Sequence, residues 1–280
     1  MSSAHGGAIV AEKKSIVDGV GEVCPTSAPT ANSSFGHEWQ AEWMEGKKLA
    51  AEIEKEEPLI GDPALTEYLN RLEQTIVRSS GLRGCFVVKL LEDAEANAFS
   101  LPGGFLYVTS GLVLVIENEG ELTAALAHET GHVTARHFAR IDHKRRIGGR
   151  LALAGGPAGY LVRLFVGPLL TRKLIRNSEF EADRLCLTYQ RASGHDPREF
   201  SRLLQNAFQE EDKRVSFIGR LFDTHPLITT RLKRLDKLTE HLQPMITDYN
   251  VDAKDFHAFK GRLLGLLRSA NIPVPPTQAR

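Results

Sequence analysis

Apolar residues recur at helical spacing from about Glu38 to Glu56, which predicts an amphipathic helix. A second helix follows the Gly-Asp-Pro turn at 61–63, because Asp62 is a favourable N-cap residue and proline suits the first helical position. The apolar residues of this second helix share one face: Leu65, Tyr68, Leu69, Leu72 and Ile76. We therefore expect two amphipathic helices ahead of the rest of the fold.

The period of the pattern changes after the second helix. Residues 84–92 and 105–116 are rich in β-branched and aromatic side chains and flank a Ser-Leu-Pro-Gly-Gly sequence, so they predict two strands around a turn. From about Glu119 onwards helical patterns dominate, over residues 119–144, 172–191, 197–213, 227–242 and 253–268. The predicted fold class is therefore α+β, a mostly helical domain with a small β-sheet.

The two ends of the chain differ from the middle in composition. Residues 1–36 are rich in Ser, Ala, Gly and Thr without periodicity, which predicts a disordered lead. The main domain is expected to span residues 37–245. Residues 246–280 are expected to form a C-terminal helix and a proline-containing tail.

The overall charge argues against one class of partner. The chain has 280 residues with 35 basic and 35 acidic side chains, so no net field attracts nucleic acid and we expect no such partner. The apolar stretch 151–170 has the length of a membrane span, but Arg163 and several Gly and Pro residues favour short buried helices. We expect no integral membrane span, and peripheral contact with a membrane stays open.

Cysteine content and the first residues leave the cellular compartment open. Three cysteines are too few for a disulfide framework. The residues before Cys24 contain no apolar run long enough for a signal peptide, so the sequence as given favours the cytoplasm by default.

The helix predicted over 119–144 contains the sequence His-Glu-Thr-Gly-His. His128 and His132 are four residues apart and share a helix face, while Glu129 lies about 100° around the axis. Two histidine ligands with a neighbouring carboxylate base are typical of zinc peptidases, and the alternative is a polar helix face. Gly131 costs this helix about 1 kcal/mol relative to alanine, which indicates that another segment approaches its backbone.

A catalytic zinc takes three protein ligands and one open position. His137 follows His128 by nine residues, half a turn from the ligand face, so it is expected to cap or pack the far side of the helix. Residues 177–187 offer a better candidate, because Glu179 and Asp183 are four apart and share a face. We predict Glu179 as the third ligand and Asp183 as the acceptor of the far N–H of His128. The alternative is an ordinary charged helix face.

Two other side chains within residues 177–187 are not expected to bind the metal. Glu181 lies about 200° around the helix from Glu179, so it is expected to face solvent and to pair with Arg184 or Arg176. Cys186 lies on the same helix face as Glu179. As a fourth protein ligand, however, it would fill the coordination position of the zinc that must stay open for water. We therefore expect Cys186 to be a buried core residue.

Four stretches together resemble the zinc metallopeptidase family of the CAAX prenyl proteases and HtpX heat-shock peptidases, in particular its soluble periplasmic branch. They cover residues 97–112, 117–137, 179–183 and 223–231. The resemblance implies a zincin-like fold of the gluzincin type and a zinc-dependent metalloendopeptidase that holds one Zn²⁺ per chain. It also implies the roles of five residues: His128, His132 and Glu179 as ligands, Glu129 as general base and Asp183 as helper acid.

The same resemblance implies a substrate surface and a class of substrate. A peptide would add as a strand to the edge of the sheet. The expected substrate-binding residues there are Asn97, Ala98, Phe99, Gly103 and Gly104. Since the soluble branch is usually exported and acts on envelope proteins, the implied substrates are misfolded or envelope polypeptides and the implied process is protein quality control. The absence of a signal peptide in the sequence as given departs from this branch and leaves the localisation uncertain.

His225 and the overall activity each keep an alternative. By the resemblance, His225 would take the open position of the metal in a resting state or stabilise the oxyanion during turnover. The other interpretation is that His225 and Pro226 form a turn and helix N-cap, with Arg231 bonding loop carbonyls. The alternative for the whole protein is a catalytically silent, chaperone-like or scaffolding member of the same fold.

Overall fold

The computed structural model describes residues 36–81, 84–143, 167–211, 228–242, 249 and 253–272. The expectations for residues 1–35, for 151–166 and for His225 lie outside these ranges. The helices are α1 (Gly36–Glu56), α2 (Pro63–Ser79), α3 (Ser110–Val115), α4 (Glu119–Thr134), α5 (Gly167–Ala192), α6 (Arg198–Glu211), α7 (Ile228–Glu240) and α8 (Ala253–Ser269). The strands are β1 (Val87–Leu91), β2 (Ala98–Leu101) and β3 (Phe105–Thr109). This arrangement confirms the predicted α+β class.

Helix α2 forms as its sequence predicts. The Asp62 side chain accepts hydrogen bonds from the backbone N–H groups of Ala64 and Leu65, both at 3.1 Å, and so caps the helix. The five apolar residues that define its predicted face are all buried: Leu65, Tyr68, Leu69, Leu72 and Ile76. Helix α2 therefore packs this face into the main core.

The sheet has the strand order β1-β3-β2. Strands β1 and β3 pair in parallel, with Val87 opposite Phe105, whereas β2 runs antiparallel to β3 with Ala98 opposite Val108. The predicted pair of strands around a turn is therefore wrong, because a short turn cannot join parallel neighbours. The intervening chain forms β2 instead, and it places that strand at one edge of the sheet.

The second predicted strand is also too long, because residues 110–115 form helix α3. The Thr109 hydroxyl accepts a hydrogen bond from the backbone N–H of Leu112 at 3.2 Å and caps the new helix. Gly111 permits close packing here, since a Cβ at this position would lie 2.2 Å from the backbone oxygen of Ala94. Local capping and packing thus override the β-propensity of the Val and Leu residues that follow.

Helix α4 carries the histidine motif and contacts α5 closely. A Cβ at Gly131 would lie 3.2 Å from the backbone oxygen of Ala182, which confirms that another segment approaches the helix at this glycine. Helix α4 ends at Thr134, earlier than predicted, and helical backbone resumes at 137–143. Between them Arg136 has a φ of 56°, in the left-handed region.

The hydrophobic core lies between α2, the sheet, α4 and the C-terminal helix α8. Cys186 is a free cysteine with 0% exposure, which confirms its prediction as a core residue. In the part of the chain that the structure describes, no helix combines the length and the apolar character that crossing a membrane requires.

Candidate metal centre

The structure directs the two motif histidines of α4 to one point. The Nε2 atoms of His128 and His132 lie 3.1 Å apart. His128 is buried and stacks on the Phe200 ring at 5.1 Å between centroids, whereas His132 is partly exposed. The His128 ring is thus held by its packing on Phe200, whereas the His132 ring faces a cleft.

Helix α5 brings Glu179 to the same point. Its carboxylate oxygens lie 3.5 Å from His128 Nε2 and 3.4 Å from His132 Nε2. The three side chains each offer one ligand atom, and all three atoms lie within 4.8 Å of one another. The contact at Gly131 explains the proximity, because Ala182 lies one turn after Glu179 on α5.

This donor set fits a divalent transition metal. Tetrahedral zinc with bonds of about 2.1 Å separates its ligand atoms by about 3.4 Å. The three contacts in this cluster are of that size, with Oε2 of Glu179 facing His128 and Oε1 facing His132. Charge agrees as well: the site contains the buried carboxylates of Glu129, Glu179 and Asp183 and one buried guanidinium, that of Arg231. These groups leave two formal negative charges in excess, which a divalent cation would balance.

Glu129 lies beside the cluster in a cleft of about 340 Å³ that His132 and Glu179 also line. Its carboxylate is buried and accepts a hydrogen bond from the Ser100 hydroxyl at 2.8 Å. Because Ser100 belongs to β2, the sheet edge and the candidate base lie next to each other. A carboxylate in this position can reach a water that shares the cleft with the metal ligands.

Asp183 lies behind His128, with its Oδ1 atom 3.4 Å from the Nδ1 atom of that histidine. Arg231 of α7 holds Asp183 by a fork, through Nε at 3.1 Å from both oxygens and Nη2 at 2.7 Å from Oδ1. Its Nη1 atom lies 3.1 Å from the Glu179 carboxylate. Arg231 therefore bonds carboxylates of the cluster. Its expected bonds to loop carbonyls stay a prediction, because that loop lies outside the described residues.

The burial of Arg231 is tolerated because of these carboxylates. Burial alone would lower the pKa of Arg231, but Asp183 and Glu179 outweigh this effect and hold it above its usual value. The side chain is 1% exposed and packs its guanidinium over the Phe200 ring. One cation thus ties α7 to α5 beside the candidate metal ligands, with its Nη2 atom 3.4 Å from Nε2 of His128.

His137 occupies a place that differs from its prediction. The turn at Ala135 and Arg136 ends α4, so His137 does not continue around the same helix. Its Nδ1 atom lies 3.0 Å from Nδ1 of His132, and its Nε2 atom lies 3.2 Å from Glu181. The expectation that His137 packs on the far side is wrong, because it assumed an unbroken helix.

Glu181 also has partners that the spacing did not indicate. Its carboxylate accepts a hydrogen bond from Arg140 at 2.8 Å and lies 3.2 Å from Nε2 of His137, in place of the expected ion pairs with Arg184 or Arg176. Burial raises the pKa of Glu181, but the hydrogen bonds from Arg140 and His137 outweigh it and leave that pKa below its usual value. Glu181 is therefore half-buried and charged beside the cluster.

The predicted substrate-binding residues separate into two groups. Phe99 lines the cleft and stacks on Tyr107 at 5.0 Å, while Asn97 and Ala98 are buried and bond or pair with β3. Gly103 and Gly104 form the turn between β2 and β3 with φ values of 77° and 93°. These two glycines allow close contact with α1 and with the backbone before β1, so their observed contacts are with the fold itself.

Sequence reasoning missed two side chains at this site. Arg231 lies on the buried stripe of α7 with Ile228 and Leu235, and a cation in such a stripe signals a carboxylate partner. Ser100 had no comparable signal, because its role depends on the unexpected strand β2 lying beside α4. His225 and Pro226 fall outside the described residues.

Comparison with known proteins bears directly on this cluster. The model of peptidase family M48 matches residues 63–239, which include all the residues of the candidate metal centre. The chain belongs to peptidase family M48. This membership confirms the family resemblance inferred from the sequence and assigns the chain to the metallopeptidase class of hydrolases.

Several curated proteins are similar to this chain. The beta-barrel assembly-enhancing protease of Escherichia coli (strain K12) is 28% identical over 277 residues, covering 89% of this chain and 55% of the relative. The protein of that name from Yersinia pestis is 30% identical over 234 residues, covering 78% and 47%. The mitochondrial metalloendopeptidase OMA1 of Schizosaccharomyces pombe is 28% identical over 177 residues, covering 61% and 52%. The chain thus spans about half the length of these relatives.

Proposed function

We propose that this chain is a zinc-dependent metalloendopeptidase in which His128, His132 and Glu179 hold one Zn²⁺ and Glu129 is the general base. The observation that carries the proposal is the convergence of two imidazole Nε2 atoms and a carboxylate within 4.8 Å, with Glu129 in the same cleft. Zinc, when bound, supplies Lewis acidity for the scissile carbonyl and for the attacking water.

The remaining chemistry belongs to side chains of this protein. Glu129 accepts a proton from the attacking water and then delivers it to the nitrogen of the leaving amine. The Ser100 hydroxyl holds one Glu129 oxygen at 2.8 Å and so fixes the direction of the carboxylate. Asp183 would orient the His128 ring from behind as a helper acid, and Arg231 holds Asp183 in place. For His225, a role at the open metal position or at the oxyanion stays a proposal.

The substrate in this proposal is an extended polypeptide. Strand β2 pairs with β3 on one side, and no other described strand pairs with its second side. A peptide that adds there would form main-chain hydrogen bonds with the edge of the sheet. Residues 97–99 would lie beside the peptide, and the turn at Gly103 and Gly104 would end the binding surface. Such binding selects unfolded or extended segments with little sequence preference, which suits protein quality control. Two of the relatives are named as a protease and a metalloendopeptidase, which supports cleavage of polypeptides by this chain.

The experiment measures cleavage of unfolded casein by the purified chain, loaded with zinc, for the wild type and for Glu129→Gln. Glutamine keeps the acceptor for Ser100 but cannot take a proton, so we expect cleavage to fall by at least about 100-fold while zinc stays bound. A chelator should stop the wild-type reaction, and readdition of zinc should restore it.

The matched control is Glu52→Gln on the exposed side of α1, which should cleave like the wild type. Undiminished cleavage by Glu129→Gln would disprove the role of the base. A wild-type chain that binds unfolded casein and zinc but never cleaves would instead support the catalytically silent, chaperone-like alternative.

A further inference from the structure

The ring of His132 has a built support on the side away from the metal position. Its Nε2 atom faces His128 and Glu179, whereas its Nδ1 atom faces the opposite way, 3.0 Å from Nδ1 of His137. His137 is itself 3% exposed, so water does not compete freely for this contact. The two rings stand edge to face, at an interplanar angle of 76°.

A break in the helical backbone at residues 135–136 places His137 beside the His132 ring. Arg136 adopts a left-handed φ of 56°, a conformation that usually favours glycine or asparagine and costs an arginine on the order of 1 kcal/mol. The turn is closed by bonds from the N–H of Ala135 to the oxygen of Gly131 and from the N–H of Arg136 to the oxygen of Val133. An ion pair between Arg136 and Glu42 of α1 holds the turn from outside.

Ligation by Nε2 determines where the protons of the contact lie. A neutral His132 that binds metal through Nε2 carries its proton on Nδ1 and donates it to His137 Nδ1. His137 must then be unprotonated at Nδ1 and carry its own proton on Nε2. That proton points to Glu181, whose carboxylate lies at 3.2 Å.

Glu181 is in turn fixed at the end of the chain of contacts. Arg140 donates to the same Glu181 oxygen at 2.8 Å and keeps this carboxylate charged and in place. The order is therefore imidazole, imidazole, carboxylate and guanidinium. The protons of His132 and His137 point away from the metal position, and Glu181 accepts from His137 on one side and from Arg140 on the other. His128 differs, because a carboxylate of Asp183 lies directly behind its Nδ1 atom.

We infer that His137 is a positioning residue for the metal site, which fixes the tautomer and ring orientation of His132 through a relay to Glu181. The inference rests on the proposed function, because it takes His132 as a metal ligand. Partners of this kind typically change metal affinity by about 10- to 100-fold when they are removed. In this role His137 acts through His132 and is not itself a ligand of the metal.

The test measures the zinc dissociation constant of the full chain by competition with a fluorescent chelator. His137→Phe keeps a planar ring but removes the acceptor, so zinc binding should weaken by about 10- to 100-fold. His137→Asn places an amide oxygen near the former Nδ1 position, so it should stay within about threefold of the wild type. His143→Phe, on the exposed side of the same helical segment, is the matched control and should bind zinc like the wild type.

Two further readings separate positioning from packing. Nitrogen-15 histidine spectra of the zinc-loaded protein should show the His132 proton on Nδ1 in the wild type and in His137→Asn. Thermal unfolding of the zinc-free variants should show that His137→Phe still folds. Equal zinc affinity in the wild type and His137→Phe would overturn the inference, and so would an equal loss in the Phe and Asn variants.

One more variant distinguishes failure of this inference from failure of the proposed function. His132→Ala should abolish tight zinc binding. If zinc affinity survives that change, the ligand assignment itself is wrong and the inference falls with it. If affinity is lost in His132→Ala but not in His137→Phe, only the inference is wrong.

Discussion

At the scale of single residues, the least expected feature is the arginine at the centre of the acidic cluster. Arg231 is surrounded by Asp183, Glu179 and the Phe200 ring, and it is more deeply buried than the groups that it pairs with. A buried ion pair contributes little net stability when intact, but loss of one partner leaves an uncompensated charge. Arg231 therefore has a larger effect on folding than its position outside the metal ligands suggests.

Arg231→Met should destabilise the metal-free protein by about 3–5 kcal/mol, because two buried carboxylates lose their cation. Zinc should recover part of this loss, since the metal supplies positive charge to the same carboxylates. Urea unfolding with and without zinc measures both effects. Arg234→Met is the control: Arg234 is exposed on the same helix over Phe180, so its loss should stay below about 1 kcal/mol. Equal losses in the two variants would contradict this account of the cluster.

Residue spacing predicted which polar side chains come together better than it predicted their surroundings. The spacing of four within each helix brought His128 to His132 and Glu179 to Asp183, because a regular helix fixes which side chains share a face. The same geometry failed for His137, since a single left-handed residue at 136 ended the helix. Pairing across helices, such as Arg231 with Asp183, depends on tertiary packing that no local spacing encodes.

At the scale of elements, the contact between α4 and α5 decides whether the site exists. The two helices carry different candidate ligands, and their backbones come close at Gly131, where an added Cβ would lie 3.2 Å from the Ala182 oxygen. The absence of a side chain at Gly131 thus lets Glu179 reach the two histidines. The sequence indicated this contact through the cost of a glycine in mid-helix, but it could not name the partner helix.

Gly131→Ala should weaken the packing of α4 on α5. The new Cβ would lie 3.2 Å from the Ala182 oxygen, and such overpacking costs about 1–3 kcal/mol, more than the helix gains from alanine. Gly265→Ala on α8 is the matched control, because no described heavy atom lies within 4 Å of its added Cβ. Thermal unfolding should show a lower midpoint for Gly131→Ala and a higher one for Gly265→Ala. A stabilised Gly131→Ala would contradict the close contact.

The contact of α2 with α4 contains another buried acid, Glu73. Its side chain is 0% exposed and accepts a hydrogen bond from the Thr130 hydroxyl at 2.7 Å. Burial raises the pKa of Glu73 from 4.5 to about 8, so the folded protein keeps this carboxyl protonated where the unfolded chain releases the proton. The contribution of Glu73 to stability is therefore present below pH 4.5 and is lost as the pH rises towards about 8.

Glu73→Gln should remove this pH dependence, because glutamine keeps the acceptor for Thr130 and does not titrate. The gain in free energy of unfolding over the wild type should grow from pH 5 to pH 8 and reach several kcal/mol. Urea unfolding of both proteins at several pH values between 5 and 8 tests this prediction. The exposed Glu67→Gln on the same helix should run parallel to the wild type. A constant difference between Glu73→Gln and the wild type would rule out a protonated Glu73.

The sheet shows why element order was harder to predict than element type. The β-branched segments at 87–91 and 105–109 are strands as expected, but their parallel pairing depends on β2, which has only four residues. Short strands carry little periodic signal of their own. Strand β2 became visible only through its pairing with β3 and its place beside α4.

At the scale of the whole molecule, the site joins three parts of the chain that are distant in sequence. Helix α4 carries His128, His132 and Glu129, α5 carries Glu179, and α7 carries the buried cation Arg231 beside them. A metal at this point would cross-link α4 and α5, so metal binding and folding should be coupled. The stability of the whole fold is thus expected to depend on the free zinc concentration.

The most direct test of the account is the zinc content of the purified chain, measured by mass spectrometry for the wild type and for Glu179→Gln, with Glu181→Gln as the neighbouring control. The account predicts about one zinc per wild-type chain, as expected for a three-ligand catalytic site. It predicts a large loss of zinc in Glu179→Gln and near-complete retention in Glu181→Gln. A full complement of zinc in Glu179→Gln, or none in the wild type after incubation with zinc, would contradict it.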